Sequence, residues 1–185
     1  MKYELIKRNE IIDGKKPVYS LETERLNLIP LQPYQLELAI DNYEEMQIDL
    51  GLRVINAAID EELDYVMKIR LKRVLEDVKN YLWLTNWAII HKEEKQIIGF
   101  IILKGVPNEF GEVIVGYVVE DSHQRKGYAT EAIKALIQWV FQNPQALSVI
   151  IDTEKDNLPS NKLLEKLGAV KYKETDELFW WRIVR

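Results

Sequence analysis

The chain has 185 residues, of which 47% are hydrophobic and 30% charged, and its formal net charge is −5 at pH 7. The length and composition are typical of one soluble globular domain, and the acidic balance argues against broad nucleic-acid binding, which needs a basic face. The absence of cysteine excludes disulfides, thiolate catalysis and cysteine-ligated zinc, and two histidines are too few for a histidine-rich metal site.

The N-terminal residues predict a short arm ahead of the main domain. Asp13-Gly14 is typical of a hairpin turn, so residues 1–20 are expected to form an arm or hairpin and residues 21–185 a single domain. The N-terminus lacks the apolar core of a signal peptide, and no apolar run approaches the length of a membrane span. We therefore expect a cytoplasmic protein without a membrane partner.

The next segment predicts a strand and two helices. Residues 22–31 alternate as a first strand, Pro33 suits the first turn of a helix, and Asp60 is a favourable N-cap for a longer helix. The apolar stripe of the longer helix is expected to be core. It comprises Leu63, Val66, Met67, Leu71, Val74, Leu75, Val78 and Leu82.

Residues 37–64 carry nine carboxylates and one basic residue, Arg53. Such a run is typical of solvated helix faces, and it also creates a negative potential that attracts a cationic amine. Both interpretations stay open.

Two strands, residues 87–91 and 96–103, are predicted on either side of a charged turn. The second is apolar throughout, which is typical of a central strand covered on both faces. His91 closes the first strand, where we expect a solvated surface residue.

The most informative stretch joins a strand, residues 113–119, to a helical pattern that begins at Ala129. The intervening loop lies at a helix N-terminus, where unpaired N–H groups and the helix dipole favour phosphate. Gly127 lets the backbone approach a ligand, and Arg125 and Lys126 supply positive charge. Spacing alone is equally compatible with an ordinary strand-to-helix turn. A histidine in this loop, at position 123, is expected to be solvated or near phosphate.

The loop resembles the pyrophosphate motif of a known family. Gln124-x-x-Gly127-x-Ala129 is similar to the Q/R-x-x-G-x-G/A motif with which GNAT N-acetyltransferases bind acetyl-CoA. The wider run G-Y-V-V…Q-R-K-G-Y-A-T-E-A resembles the branch typified by RimJ and RimL, as does the earlier run T-E-R-L. The resemblance covers about residues 20–185.

The C-terminal part predicts a strand at residues 147–153, a short helix and two further strands. Asn157 is a favourable N-cap for the short helix. Residues 157–168 also resemble the family segment N-x-x-S-x-x-x-x-E-K-x-G, whose Asn and Ser lie beside the coenzyme.

The resemblance implies a site in which backbone N–H groups of the strand that ends at Val118 and Val119 hold the pantetheine arm and the thioester oxygen. The catalytic residues that it implies are Ser160, which would protect the departing sulfur, and Asn157. The implied coenzyme-binding residues are Val118, Val119, Gln124, Arg125, Lys126, Gly127, Tyr128, Ala129, Thr130, Asn157 and Ser160.

The sequence departs from the family pattern at two positions. Leu164 stands where many members carry a tyrosine general acid, and Ile114 stands where many carry a glutamate that is a candidate base. The identity of the general base that would deprotonate the amine is therefore open. The candidates are Glu112, Glu120, Glu154 and Glu177.

We therefore predict a single-domain α/β (α+β) GNAT-like fold, with a mixed, twisted sheet of about seven strands flanked by about four helices. The resemblance implies an acetyl-CoA-dependent N-acetyltransferase, a monomer or homodimer without a metal, acting on a primary amine of a small molecule or a protein N-terminus. Two alternatives stay open. One is a non-catalytic acyl-CoA-binding sensor, which the missing tyrosine and glutamate favour and which Ser160 and Asn157 count against. The other is a phosphate-binding regulatory module.

Overall fold

The computed structural model describes residues 19–55 and 58–185, and the hairpin predicted around Asp13-Gly14 lies outside the described residues. Within them the chain forms eight strands and six α-helices. The strands are β1 (Leu21–Glu22), β2 (Leu26–Pro30), β3 (Asn86–His91), β4 (Gln96–Leu103), β5 (Glu112–Val119), β6 (Ser148–Glu154), β7 (Val170–Glu174) and β8 (Leu178–Val184). The helices are α1 (Pro33–Asp41), α2 (Tyr43–Asp49), α3 (Glu61–Glu76), α4 (Tyr81–Leu84), α5 (Tyr128–Val140) and α6 (Leu158–Lys166).

All eight strands belong to one sheet, in the order β1-β2-β3-β4-β5-β6-β8-β7. Neighbouring strands are antiparallel except β5 and β6, which are parallel and joined through α5, because a parallel pair requires a crossover connection. The predicted single α/β domain with a mixed sheet is confirmed, with eight strands instead of about seven and six helices instead of about four. None of the described helices combines the length and the hydropathy that crossing a membrane requires.

The sheet separates two hydrophobic cores. On one side, called the α5 face, α5 packs through Ala132 and Ile133 into a core that contains Trp87 and Ile101. On the other side, called the α1 face, α1, α2 and α3 cover side chains such as Phe100. The strand β4 is buried along almost its whole length, as predicted for a central strand.

The helix predicted from Asp60 begins where expected, but fewer of its apolar side chains are buried than predicted. The Asp60 carboxylate accepts a hydrogen bond from the Leu63 N–H at 2.7 Å, as an N-cap should. However, Leu75 and Val78 are each 54% exposed. The prediction that the whole stripe is core was wrong, because the stripe continues past the end of α3 and, within that helix, the buried residues are Met67 and Val74.

The strands β5 and β6 pair along only part of their length. Three residue pairs join them, the last being Ile114 with Ile150, although β5 continues to Val119 and β6 to Glu154. In the described part of the chain, no strand pairs with this edge of β5 beyond Ile114. The sheet therefore opens into a gap that exposes backbone N–H and C=O groups of β5.

Candidate functional site

A cleft of about 570 Å³ lies where β5 and β6 separate. Its walls are the end of β5, the loop that follows, the first turn of α5 and much of α6. All the residues that the resemblance assigns to the coenzyme line this cleft except Lys126, whose carbonyl oxygen accepts a hydrogen bond from Arg25. The structure therefore brings the motif residues of three segments together.

The backbone N–H and C=O groups of successive residues in β5 point alternately toward β4 and toward the cleft. The Ile114 C=O and the Glu120 N–H both bond to the β4 side, and the pairing between them is regular. By alternation, the backbone of Val118 also faces β4, whereas the N–H groups of Tyr117 and Val119 face the cleft. The Val118 N–H thus points away from the cleft, and of the last two residues of β5 it is Val119 that directs its N–H toward the cleft.

The loop after β5 has the conformation of an anion site. Arg125 and Gly127 adopt positive φ angles of 59° and 84°, which is costly for a residue with a Cβ and free for glycine. Gln124 fastens the loop to β5 by donating a hydrogen bond to the Val119 C=O at 3.0 Å. The first N–H groups of α5, which have no intrahelical acceptor, therefore face a loop held in one shape.

Arg25 fixes the start of α5 to the turn between β1 and β2. Its side chain and its backbone N–H donate to the two carboxylate oxygens of Glu131 at 2.7 and 2.9 Å, and the Thr23 hydroxyl donates to Glu131 at 2.6 Å. The guanidinium also lies 4.4 Å from the centre of the Tyr128 ring. Burial alone would raise the pKa of Glu131, but the hydrogen bonds from Thr23 and Arg25 hold it below its ordinary value. Arg25 lies in the run T-E-R-L and Glu131 in the run A-T-E-A, but nothing in the sequence indicated that these two residues pair.

His91 is buried, contrary to the prediction of a solvated residue. Its Nδ1 accepts a hydrogen bond from the Glu94 N–H at 3.2 Å, and its Nε2 lies 2.9 Å from the Tyr128 hydroxyl. Because Nδ1 accepts, a neutral ring carries its proton on Nε2 and donates it to Tyr128. His91 therefore supports a residue that lines the cleft.

His123 is also buried, so the first alternative, a solvated ring, is wrong. The second alternative, a ring near phosphate, stays a prediction, and His123 does line the cleft. Its Nε2 lies 3.1 Å from the Glu94 carboxylate and 3.2 Å from the Gln96 amide, and its Nδ1 lies 2.8 Å from the Ser122 hydroxyl. The hydrogen bond with His123 lowers the pKa of Glu94. The ring is covered because the charged β3–β4 turn folds against the loop.

The N-terminus of α6 is held from both ends of its first turn. Asn157 caps the helix as predicted, since its Oδ1 accepts from the Ser160 N–H at 3.1 Å. Asn161 accepts a hydrogen bond from the Thr153 hydroxyl at 2.6 Å, and Thr153 accepts one from the Trp181 indole at 2.9 Å. These buried hydrogen bonds, which no sequence motif indicated, fix the first turn of α6, which carries Ser160, to β6 and β8.

Leu164, at the position of the family tyrosine, is fully buried in the core and does not line the cleft. Tyr117 lines it, and its hydroxyl oxygen is buried without a hydrogen-bond partner among the described residues. Burial raises the pKa of Tyr117, and an interaction with the Ser160 hydroxyl offsets part of that rise without reaching regular hydrogen-bond geometry. Tyr117 stood in the quoted G-Y-V-V run, but the motif indicated no role for its side chain.

The four candidate bases lie in different environments. Glu112 pairs with Arg182 at 2.7 Å, and the last two candidates, at positions 154 and 177, are exposed. Glu120 is partly buried, and burial raises its pKa although His123 lowers it. By strand alternation Glu120 continues the side of β5 that carries Val118, which is the α1 face.

Residues 25–170 match the family model described as the acetyltransferase (GNAT) domain. The uncharacterized N-acetyltransferase YjdG of Bacillus subtilis (strain 168) is 30% identical over 165 residues, which cover 87% of this chain and 95% of that protein. The uncharacterized N-acetyltransferase p20 of Bacillus licheniformis is 33% identical over 153 residues, which cover 82% of this chain and 83% of that protein.

Solved structures share the fold at lower identity. The ribosomal-protein-S5-alanine acetyltransferase of Vibrio fischeri has a TM-score of 0.66 at 20% identity, over 89% of this chain and 96% of that one. RimL, a ribosomal L7/L12 alpha-N-protein acetyltransferase, has a TM-score of 0.64 at 11% identity, over 95% of this chain and 99% of that one. At such identities the likeness concerns the fold alone.

Proposed function

The chain belongs to the acetyltransferase (GNAT) family and is an N-acetyltransferase, and we propose that it transfers the acetyl group of acetyl-CoA to the α-amine of a peptide or protein, as a RimJ/RimL-like enzyme. The observation that carries this proposal is the cleft between β5 and β6, which is bordered by an anion-binding loop and by Ser160.

The cleft suits the coenzyme because its walls carry positive charge and backbone N–H and C=O groups of β5 that pair with no other strand of the described chain. The N-terminus of α5, the open Gly127 and the side chain of Arg125 suit a pyrophosphate, and hydrogen bonds to a charged group contribute about 1.5–3 kcal/mol each. Lys162, on the α6 wall, adds positive charge. The cleft-facing backbone of Tyr117 and Val119 offers donors and acceptors for the amide groups of a pantetheine arm.

The same groups suit acetyl transfer. A neutral amine must attack the thioester carbonyl carbon, and the sulfur must leave as a thiolate. The cleft-facing Val119 N–H is a donor for the negative charge that develops on the carbonyl oxygen. Ser160 is a donor for the sulfur, and Asn157 acts through Ser160 by holding its backbone N–H. A thiol with a pKa of about 8.5 leaves without a strong acid.

The absence of a glutamate at position 114, where the family resemblance leads us to expect a general base, favours an acceptor that deprotonates readily. A lysine side chain with a pKa of about 10.4 is neutral about once in 2,500 molecules at pH 7, whereas an α-amine with a pKa of about 7.8 is neutral about once in seven. The difference corresponds to about 3.5 kcal/mol of deprotonation, which a strong, well-placed base would normally offset. Ile114 stands where many relatives carry a glutamate, so we propose an α-amine.

Two peptides in one assay test this proposal. One has a free N-terminus and no lysine, and the other has a blocked N-terminus and one lysine. We expect acetyl-CoA-dependent thiol release and at least about tenfold faster acetylation of the free N-terminus, measured by mass spectrometry. Faster acetylation of the lysine would overturn the acceptor, whereas no thiol release with a broad panel of amines would overturn the use of acetyl-CoA.

A further inference from the structure

The hydroxyl of Tyr117 is a buried polar group that interacts with the Ser160 hydroxyl but forms no regular hydrogen bond with the described residues. Its oxygen is shielded from solvent and has no hydrogen-bond partner among the described residues. Burying a hydroxyl without a partner costs free energy relative to a phenylalanine of the same shape. A structural role alone therefore does not account for the oxygen atom.

The position of the hydroxyl points to a ligand. Tyr117 lines the cleft, and by register with Ile101 its side chain lies on the α5 face of the sheet. Ser160, at the first turn of α6, lines the same cleft and interacts with the phenol. Two hydroxyl groups from opposite walls thus approach one region, and the phenolic O–H has no acceptor within the described residues.

We propose that Tyr117 is a catalytic residue whose hydroxyl donates a hydrogen bond to the sulfur that leaves during acetyl transfer. This proposal rests on the proposed function, because it requires a thioester donor in the cleft. Tyr117 would thereby take over the task of the family tyrosine whose position is filled by the buried Leu164.

The step balances without a full proton transfer from the phenol. The amine nitrogen forms the C–N bond, the C–S bond breaks, and its electron pair goes to sulfur, while the nitrogen loses a proton to solvent. Burial keeps the pKa of Tyr117 above its ordinary value, so the phenol stays protonated and stabilises the thiolate as a donor. A solvent proton then neutralises the thiolate after the amide has formed.

Substitution of Tyr117 by phenylalanine separates this role from packing. We expect Tyr117→Phe to lower kcat by about tenfold to a hundredfold, because a hydrogen bond to a developing charge is lost. The KM for acetyl-CoA should change less than about twofold, and the melting temperature should stay the same or rise. Tyr172→Phe, which removes an exposed hydroxyl on β7, is the matched control and should leave all three quantities unchanged.

A second measurement needs no acceptor and no turnover. The ultraviolet absorbance of the thiolate gives the pKa of the coenzyme A thiol in the binary complex, which should be lower in the wild type than in Tyr117→Phe. An unchanged thiol pKa and an unchanged kcat in Tyr117→Phe would overturn the proposal, as would a fall in melting temperature or in coenzyme affinity that accounts for the lost rate. Wild-type protein that binds coenzyme A with a lowered thiol pKa but acetylates no amine would overturn the proposed function and leave the hydrogen bond standing.

Discussion

On the proposed coenzyme side of the cleft, side chains from distant segments meet at short distances, as in the pairs Arg25–Glu131 and His91–Tyr128. On the proposed acceptor side, which is the α1 face of the sheet, Val118 is 46% exposed and many residues of α1, α2 and α3 are acidic and exposed. The proposed coenzyme side is held in one shape by buried polar contacts, whereas the proposed acceptor side is an open, negatively charged surface. This difference agrees with the proposed function, in which the first side binds the coenzyme and the second side takes the amine acceptor.

The contrast predicts that substitutions on the coenzyme side cost more than substitutions on the acceptor side. Gly127→Asp should have the largest effect, because it forces a Cβ into a left-handed conformation 3.4 Å from Arg25 and puts a negative charge where phosphate is expected. We expect coenzyme A affinity to fall at least tenfold, which is about 1.4 kcal/mol, measured by calorimetry. Gly168→Asp is the matched control, since Gly168 has a φ of 79° with no atom near its added Cβ. Equal losses in the two variants would refute a specific role for the loop.

Glu131→Gln should have the next largest effect, because it weakens the contacts with Arg25 and Thr23. We expect the free energy of unfolding at pH 7 to fall by about 1–2 kcal/mol and coenzyme A affinity to fall several-fold. The pKa of Glu131 is lowered in the folded state, so its contribution is complete above the unfolded-state pKa of about 4.3 and is lost as the pH falls through the lower folded-state value. The wild-type and variant urea curves should therefore converge on the acid side. Glu165→Gln, at an exposed site on α6, should show no such dependence.

Ser160→Ala should have a smaller effect that is confined to the chemical step. The backbone N–H of residue 160 still bonds to the Asn157 cap, so we expect kcat to fall about threefold to tenfold, with coenzyme A affinity nearly unchanged. Steady-state kinetics and calorimetry on the same preparation measure both. Asn157→Ala provides the contrast, because loss of the cap should cost about 1 kcal/mol of stability. A loss of coenzyme affinity in Ser160→Ala equal to the loss in kcat would contradict a role limited to catalysis.

The smallest effect is expected on the acceptor side. Glu44 and Glu45 are exposed in the first turn of α2, and replacing both by glutamine should raise the KM for a cationic peptide by about twofold at low salt. The effect should vanish near physiological ionic strength, where the screening length is about 8 Å. A change in kcat or in coenzyme affinity would show that these carboxylates belong to the site itself and would weaken the comparison between the two sides.

The parts of the molecule that could be predicted depend on residues close together in the sequence. Gly127 takes a left-handed conformation at the start of a helix, Asp60 and Asn157 act as helix caps, and the apolar run of β4 indicates a central strand. In each case the physical cause lies within one turn or one strand.

The parts that could not be predicted depend on how segments meet. Single residues such as His91 and His123 gave no sign that the β3–β4 turn covers them. The periodicity of α3 indicated an apolar face but not how much of that face finds a partner, so Leu75 was expected in the core and is exposed. The backbone direction of Val118 depends on the parity of its pairing with β4, which residue types do not encode.

The alternation of β5 also determines which changes the strand can accept. Replacing Val119 by another β-branched residue leaves its N–H in the cleft, because the backbone direction does not depend on the side chain. Inserting one residue between Ile114 and Val119 would turn that N–H toward β4 and exchange the two faces of the part of β5 that follows the insertion. Variants of this chain should therefore differ in β5 by substitution and not by insertion or deletion, since the number of residues in that strand is under tighter constraint than their identity.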